Sequence, residues 1–169
     1  MNINQISCQL LLIFGVCILS QATQAQVFEI KNASKRYDVK ITTSCTDRSC
    51  DGQANIDLYR KGTAQLFQRI SSAELTMDLD ETDKPSVNVV QLYGEQSALI
   101  FADFNFYGSE DVAIRNGNYG AYGGPTYDVY AFHRTKNKFV LSEELSALTH
   151  ENLGMFEAVS YTHLRAHET

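Results

Sequence analysis

Apolar and polar residues alternate through most of the middle of the chain, the pattern of strands with one buried face. In YDVKITTSC, residues 37–45, Val39 and Ile41 alternate with Lys40 and Thr42. Two further runs, Ile56-Asp57-Leu58-Tyr59 and Gln65-Leu66-Phe67-Gln68, flank Lys61-Gly62 and predict a hairpin. Leu75, Met77 and Leu79 fall on one face, and residues 80–85 read as an acidic, solvated turn. Residues 88–93 and 97–102 predict a second hairpin around Gly94-Glu95-Gln96, and residues 127–132 another strand. One short helix is expected near 142–153. Ser142 suits its N-cap, Glu143 and Glu144 its positive end, and Gly154 its stop. Leu145, Leu148 and Leu153 give it an apolar face, and His150 falls outside that face. The predicted class is all-β, with antiparallel sheets arranged as a sandwich or as part of a propeller. No internal repeat supports a complete solenoid or multi-blade propeller.

The two ends follow other rules. An apolar core from Leu10 to Leu19, then small and polar residues, reads as a signal peptide over residues 1–25, cut before Gln26. That core is shorter than the roughly 20 residues that cross a bilayer. At the other end VSYTHLRAHET, residues 159–169, matches a translated sequencing adapter and follows an apolar run, Gly154-Met155-Phe156, that begins like a strand. The expected organisation is a signal peptide, one β-rich domain over 26–158 lacking its last strands, and a disordered 159–169. His163 and His167 leave the metal question with that last segment. The expected location is periplasmic or secreted, with no membrane span in the mature form.

The chain of 169 residues is 44% apolar and 20% charged, which fits a globular domain. Its formal net charge of −6 disfavours nucleic acid and anionic membrane as partners and suits a basic protein or a cation. In an exported protein Cys45 and Cys50, in SCTDRSCDG, read as a disulfide worth about 2 kcal/mol by chain entropy. A metal pair is the rival reading, but Cys8 and Cys17 leave with the expected signal peptide, and no further Cys or nearby His supports it.

The segment DFNFYGSED, residues 103–111, carries the most specific chemistry. Calcium takes six to eight oxygens, and a loop donating from alternate residues can wrap it around a turning glycine. Asp103, Asn105, the Ser109 carbonyl and Asp111 stand at positions 1, 3, 7 and 9, with Gly108 at the turn. Ile114 occupies position 12, where a helix–loop–helix site needs Glu, and a strand precedes the loop. The spacing is similar to the strand-joining calcium loops of FG-GAP type. Tyr107 stands where a third acid belongs, and a phenol is a poor ligand at neutral pH, leaving its backbone carbonyl to serve. The same residues also fit a tight turn satisfied by its own Asx hydrogen bonds. Further on, Gly117, Gly120, Gly123, Gly124 and Pro125 punctuate a loop with Tyr119, Tyr122 and Tyr127. These tyrosines read either as anchors for a partner or as ordinary strand-edge packing.

The run LIFADFNFYGSEDVAIRNGNYGAYGGPTYDVYAF, together with LSEELSALTHENLGMF, resembles a family of small exported bacterial proteins over residues 88–156. That family includes periplasmic immunity proteins, similar to lysozyme inhibitors, that act against peptidoglycan hydrolases delivered by type IV secretion. The resemblance implies an antiparallel β fold, a bound calcium ion and no catalysis. It places Asp103, Asn105 and Asp111 as metal ligands, with Asp typical at the position of Tyr107. The expected function is a calcium-binding inhibitor of a peptidoglycan hydrolase; a calcium-dependent glycan-binding or adhesion module is the alternative. An enzyme is not expected, since G-x-S-x-G, H-E-x-x-H and a Cys–His pair are all missing, and His133 reads as a surface residue.

Overall fold

The structure is a computed structural model that describes residues 25–89 and 96–151. The expected signal peptide (apart from Ala25), the apolar run at 154–158 and the adapter-like segment lie outside the described residues.

Two four-stranded antiparallel meanders make up the fold. The first holds β1 (Ala25–Ile30), β2 (Tyr37–Ser44), β3 (Ser49–Arg60) and β4 (Leu66–Asp78), in that order. The second holds β5 (Leu99–Ala102), β6 (Asp111–Gly117), β7 (Thr126–His133) and β8 (Lys138–Leu141), also in order. The helix α1 (Glu143–Glu151) follows. All strand pairs within the two sheets are antiparallel, as the alternation predicts.

Alternation decides the packing. In β2 residues 37, 39, 41 and 43 are buried, and in β3 residues 54, 56 and 58. They meet Leu75 and Met77 of β4 and, from the second sheet, Leu99, Val112, Ile114 and Phe139. This is the apolar layer between the sheets. The intervening residues of the second sheet, Ile100, Ala113, Tyr127 and Val129, form a second cluster on its far side, against Leu145 of α1. The second sheet is therefore covered on both faces, which buries β6 almost throughout.

Polar contacts stitch the sheets at their margins. Gln68 donates from Nε2 to the Phe139 carbonyl at 2.9 Å and accepts from the Phe139 N–H at 2.8 Å, covering the free edge of β8. On the outer face of the first sheet, buried Asp57 accepts a forked bond from Arg69 at 2.6 and 2.8 Å. That bond holds the Asp57 carboxyl below its ordinary range. Ser142 caps α1, its Oγ accepting from Leu145 N–H and its carbonyl from Ser146 N–H. His150 is exposed near the helix end. Cys45 and Cys50 form a disulfide across the β2–β3 turn, with Cα atoms 4.0 Å apart.

The second hairpin departs from expectation. Val87 bridges Leu99 in parallel rather than antiparallel, and Asn88 donates its N–H to the Leu99 carbonyl. Residues 90–95, which would complete the hairpin, lie outside the described residues.

Candidate functional site

The second sheet presents a constructed loop at each end, because β6 runs from one to the other. Residues 103–110 join β5 to β6 at one end, beside the β7–β8 turn. Residues 118–125 join β6 to β7 at the opposite end, beside the later part of α1.

In the first loop the aspartates organise the backbone. Asp103 accepts the Tyr107 N–H at 3.0 Å and the Gly108 N–H at 2.6 Å, and Asn105 Oδ1 accepts the Tyr107 N–H at 3.1 Å. These are the Asx bonds of a tight turn. Gly108 supplies its left-handed residue, at φ 74°. Asp111 is 0% exposed and accepts three backbone N–H groups. Phe104 and Asn105 donate to Oδ2 at 3.0 and 3.4 Å, and Phe132 to Oδ1 at 2.7 Å. Burial pushes the Asp111 carboxyl above its ordinary range, while the three N–H bonds pull it back. Glu110, the nearest further acid, turns away to Ser34 Oγ and the Lys35 N–H of the β1–β2 turn. A guanidinium reaches the loop from the β7–β8 turn. Arg134 donates from Nη2 to the Tyr107 carbonyl and from Nε to Ser109 Oγ at 3.2 Å. Tyr107 is 74% exposed, and neighbouring Phe106 is 62% exposed at φ 58°.

Glycine governs the second loop as well. A Cβ on Gly117 would lie 2.3 Å from the Tyr119 ring, and one on Gly120 would lie 3.0 Å from the Gly124 carbonyl oxygen. The backbone closes on itself between Gly120 and Gly124, with Gly120 N–H donating to Gly124 O at 3.1 Å and Gly123 N–H to Gly120 O at 3.0 Å. At the tip of this small ring Tyr122 is 99% exposed and adopts φ 57°, ψ 27°. Tyr119 is 68% exposed. The expectation for Tyr127 is corrected. It lies buried in the second apolar cluster, its hydroxyl donates to the Ser97 carbonyl at 3.3 Å, and burial pushes its phenol up to about 12. Its alternation in β7 puts it on the α1 side of the sheet, out of a partner's reach.

Arg115 ties the tyrosine loop to the first sheet. Its buried guanidinium donates to Asp78 at 3.0 Å and to Asn118 Oδ1 at 2.8 Å. Asp78→Ala would leave that charge without its acid, and is expected to cost about 1–2 kcal/mol, less than a fully buried pair. The discount follows from the Asp78 side chain being 54% exposed. Arg115→Met removes the buried charge together with its need for a partner, and is expected to cost less. Urea midpoints of the two variants check the order.

Neither arginine was marked by sequence spacing. Arg115 had one signal, a charge directly after the apolar run Val112-Ala113-Ile114; Arg134 had none beyond lying just past a strand.

Among the described residues no helix is long and apolar enough to cross a membrane. No protein-family model matches the chain, and no curated protein matches it. Among solved structures it is similar to one described as a Xanthomonas type IV secretion system related protein, with a TM-score of 0.50 and 24% identity. The match covers 76% of this chain and 62% of that one, so the chain spans less than two thirds of its solved neighbour. At that identity the likeness is one of fold: the two chains share an antiparallel β architecture.

Proposed function

We propose that the protein is an exported inhibitor that binds a peptidoglycan hydrolase, as an immunity protein does, without catalysis of its own. The observation that carries this reading is Tyr122. A non-glycine residue in the left-handed region costs roughly 1–3 kcal/mol, and no buried contact of its ring offsets that cost. A strained backbone that holds an aromatic ring fully exposed suits a recognition anchor, since aromatic side chains are enriched at the centres of protein interfaces. The net charge of −6 adds steering toward basic, lysozyme-like enzymes. The type IV secretion description of the solved neighbour agrees with the resemblance to immunity proteins.

The full chain, added to a panel of peptidoglycan hydrolases, is expected to slow the clearing of a cell-wall suspension by at least one of them. Slowing should be stoichiometric, and a complex should survive gel filtration. Failure to bind or slow any hydrolase removes the reading.

A second reading, a glycan-binding module, draws on adjacent Phe106 and Tyr107, whose exposed rings are suited to stacking on sugars. Retention on cell-wall fragments, with no hydrolase slowed, would favour it.

A further inference from the structure

We propose that the β5–β6 loop is closed by the guanidinium of Arg134 rather than by the calcium ion that loops of this spacing hold. The residues present do not fit the ion that the resemblance implies. A calcium loop directs its carboxylates and one backbone carbonyl at a common centre. Here the Tyr107 carbonyl, at the position that lacks an acid side chain, accepts Arg134 Nη2 instead. The same guanidinium holds Ser109 Oγ through Nε, so two prongs of one cation grip the second half of the loop. It sits close enough that a Cβ on Gly108 would come within 3.2 Å of Nη2. Asp111, the ninth-position acid, is spent on backbone: Oδ2 accepts two N–H groups, which fills its lone pairs, and Oδ1 accepts a third. Asp103 and Asn105 hold the turn through the N–H groups of Tyr107 and Gly108.

The electrostatics point the same way. With Tyr107 in the chain the loop lacks one carboxylate of the calcium pattern, so it calls for less positive charge at its centre. A guanidinium brings one charge where calcium brings two, and its planar fork suits a carbonyl and a hydroxyl oxygen. A divalent ion entering the loop would meet that fixed positive charge at a fifth-position oxygen already in use. Arg134 arrives from the β7–β8 turn, so the bond also ties that turn to the β5–β6 loop without any ion to lose.

The test is a calorimetric titration of the full chain with calcium chloride, paired with thermal unfolding in chelator and in millimolar calcium. No saturable binding is expected at the concentrations where extracellular calcium modules fill, about 10⁻⁴–10⁻³ M. The unfolding midpoint is expected to be the same in both conditions. Arg134→Met is expected to lower that midpoint by about 5 °C, with no recovery on adding calcium. Saturable binding to the wild type with a rise in its midpoint would overturn the proposal. An Arg134→Met variant that unfolds at the wild-type temperature would overturn it equally. Should Arg134→Met fail to fold, Arg134→Lys keeps the charge without the fork and is expected to lower the midpoint by about 2–4 °C. An unchanged midpoint there counts against the guanidinium. Neither measurement depends on a hydrolase, so this proposal and the inhibitor reading fail separately.

Discussion

Asp111→Ala is expected to lower the stability of the fold by about 3–5 kcal/mol, a large share of the roughly 5–15 kcal/mol that native domains possess. The carboxylate stands at the first residue of β6 and is wholly buried. Val112 pairs with Tyr130, so the next rung of the β6–β7 ladder would fall to Phe132. Asp111 Oδ1 takes that rung, while Oδ2 takes the N–H groups of Phe104 and Asn105 at the start of the loop. Alanine would leave all three donors facing an apolar space, each costing about 1–3 kcal/mol where water cannot reach it. Asparagine fits the volume but turns an NH₂ group toward donors, so about half of the loss is expected from Asp111→Asn. Urea unfolding of the three proteins at neutral pH measures both values.

The pH dependence of that gap has an unusual sign. Burial raises the folded-state carboxyl of Asp111 above its unfolded value of 3.8. A raised group contributes stability that is full below the unfolded value and is lost as pH rises through the folded one. The wild type should therefore gain on Asp111→Asn as pH falls through the raised value, and the gap should be widest below about 3.8. Asp57 behaves in the opposite way. Its bond to Arg69 depresses it, so its contribution is full above the unfolded value and is lost as pH falls through the folded one. The gap between wild type and Asp57→Asn should shrink only below about 3.8, where the Asp111 gap has already reached its full width.

What could be read in the sequence depended on whether a strand has two unlike faces. Strands β2, β3 and β4 bury one face each, and their period of two marked them at once. Strand β6, Asp111–Gly117, is buried on both faces, so DVAIRNG shows no alternation and passed for the tail of a metal loop. Strand β8 is four residues long, too short to display a period, and β1 straddles the expected signal-peptide boundary. The helix was legible because capping is local: Ser142, Glu143 and Glu144 announce it within three residues. At the candidate site the spacing of Asp103, Asn105 and Gly108 foretold a tight turn held by its own Asx hydrogen bonds. It did not foretell the cation that grips the loop through Tyr107 and Ser109, because Arg134 lies 23 residues beyond Asp111 in the chain and reaches the loop only through the β7–β8 turn. Tyr127 failed for the reason β6 did, since a strand with a helix on its outer face buries residues that alternation alone leaves at the surface.

Tyr122→Gly is expected to stabilise the fold while weakening the proposed complex with a hydrolase about 100-fold. These effects have opposite signs because they come from different parts of one residue. The backbone at φ 57° is natural for glycine and strained for tyrosine, so glycine should recover strain of about 1 kcal/mol. The ring is 99% exposed, so removing it opens no cavity and forfeits no packing. Centrally placed aromatic anchors carry 2 kcal/mol or more of binding free energy, and about 2.7 kcal/mol corresponds to the expected 100-fold. Tyr122→Ala keeps the strained conformation and loses the ring, so it should bind as weakly as the glycine variant without its gain in stability. Tyr122→Phe should keep most of the affinity if the ring face is what the cleft receives. Surface plasmon resonance against the inhibited hydrolase, with thermal midpoints of all three variants, separates these effects. If Tyr122→Gly binds as tightly as wild type, the exposed ring is not the anchor and the recognition surface lies elsewhere.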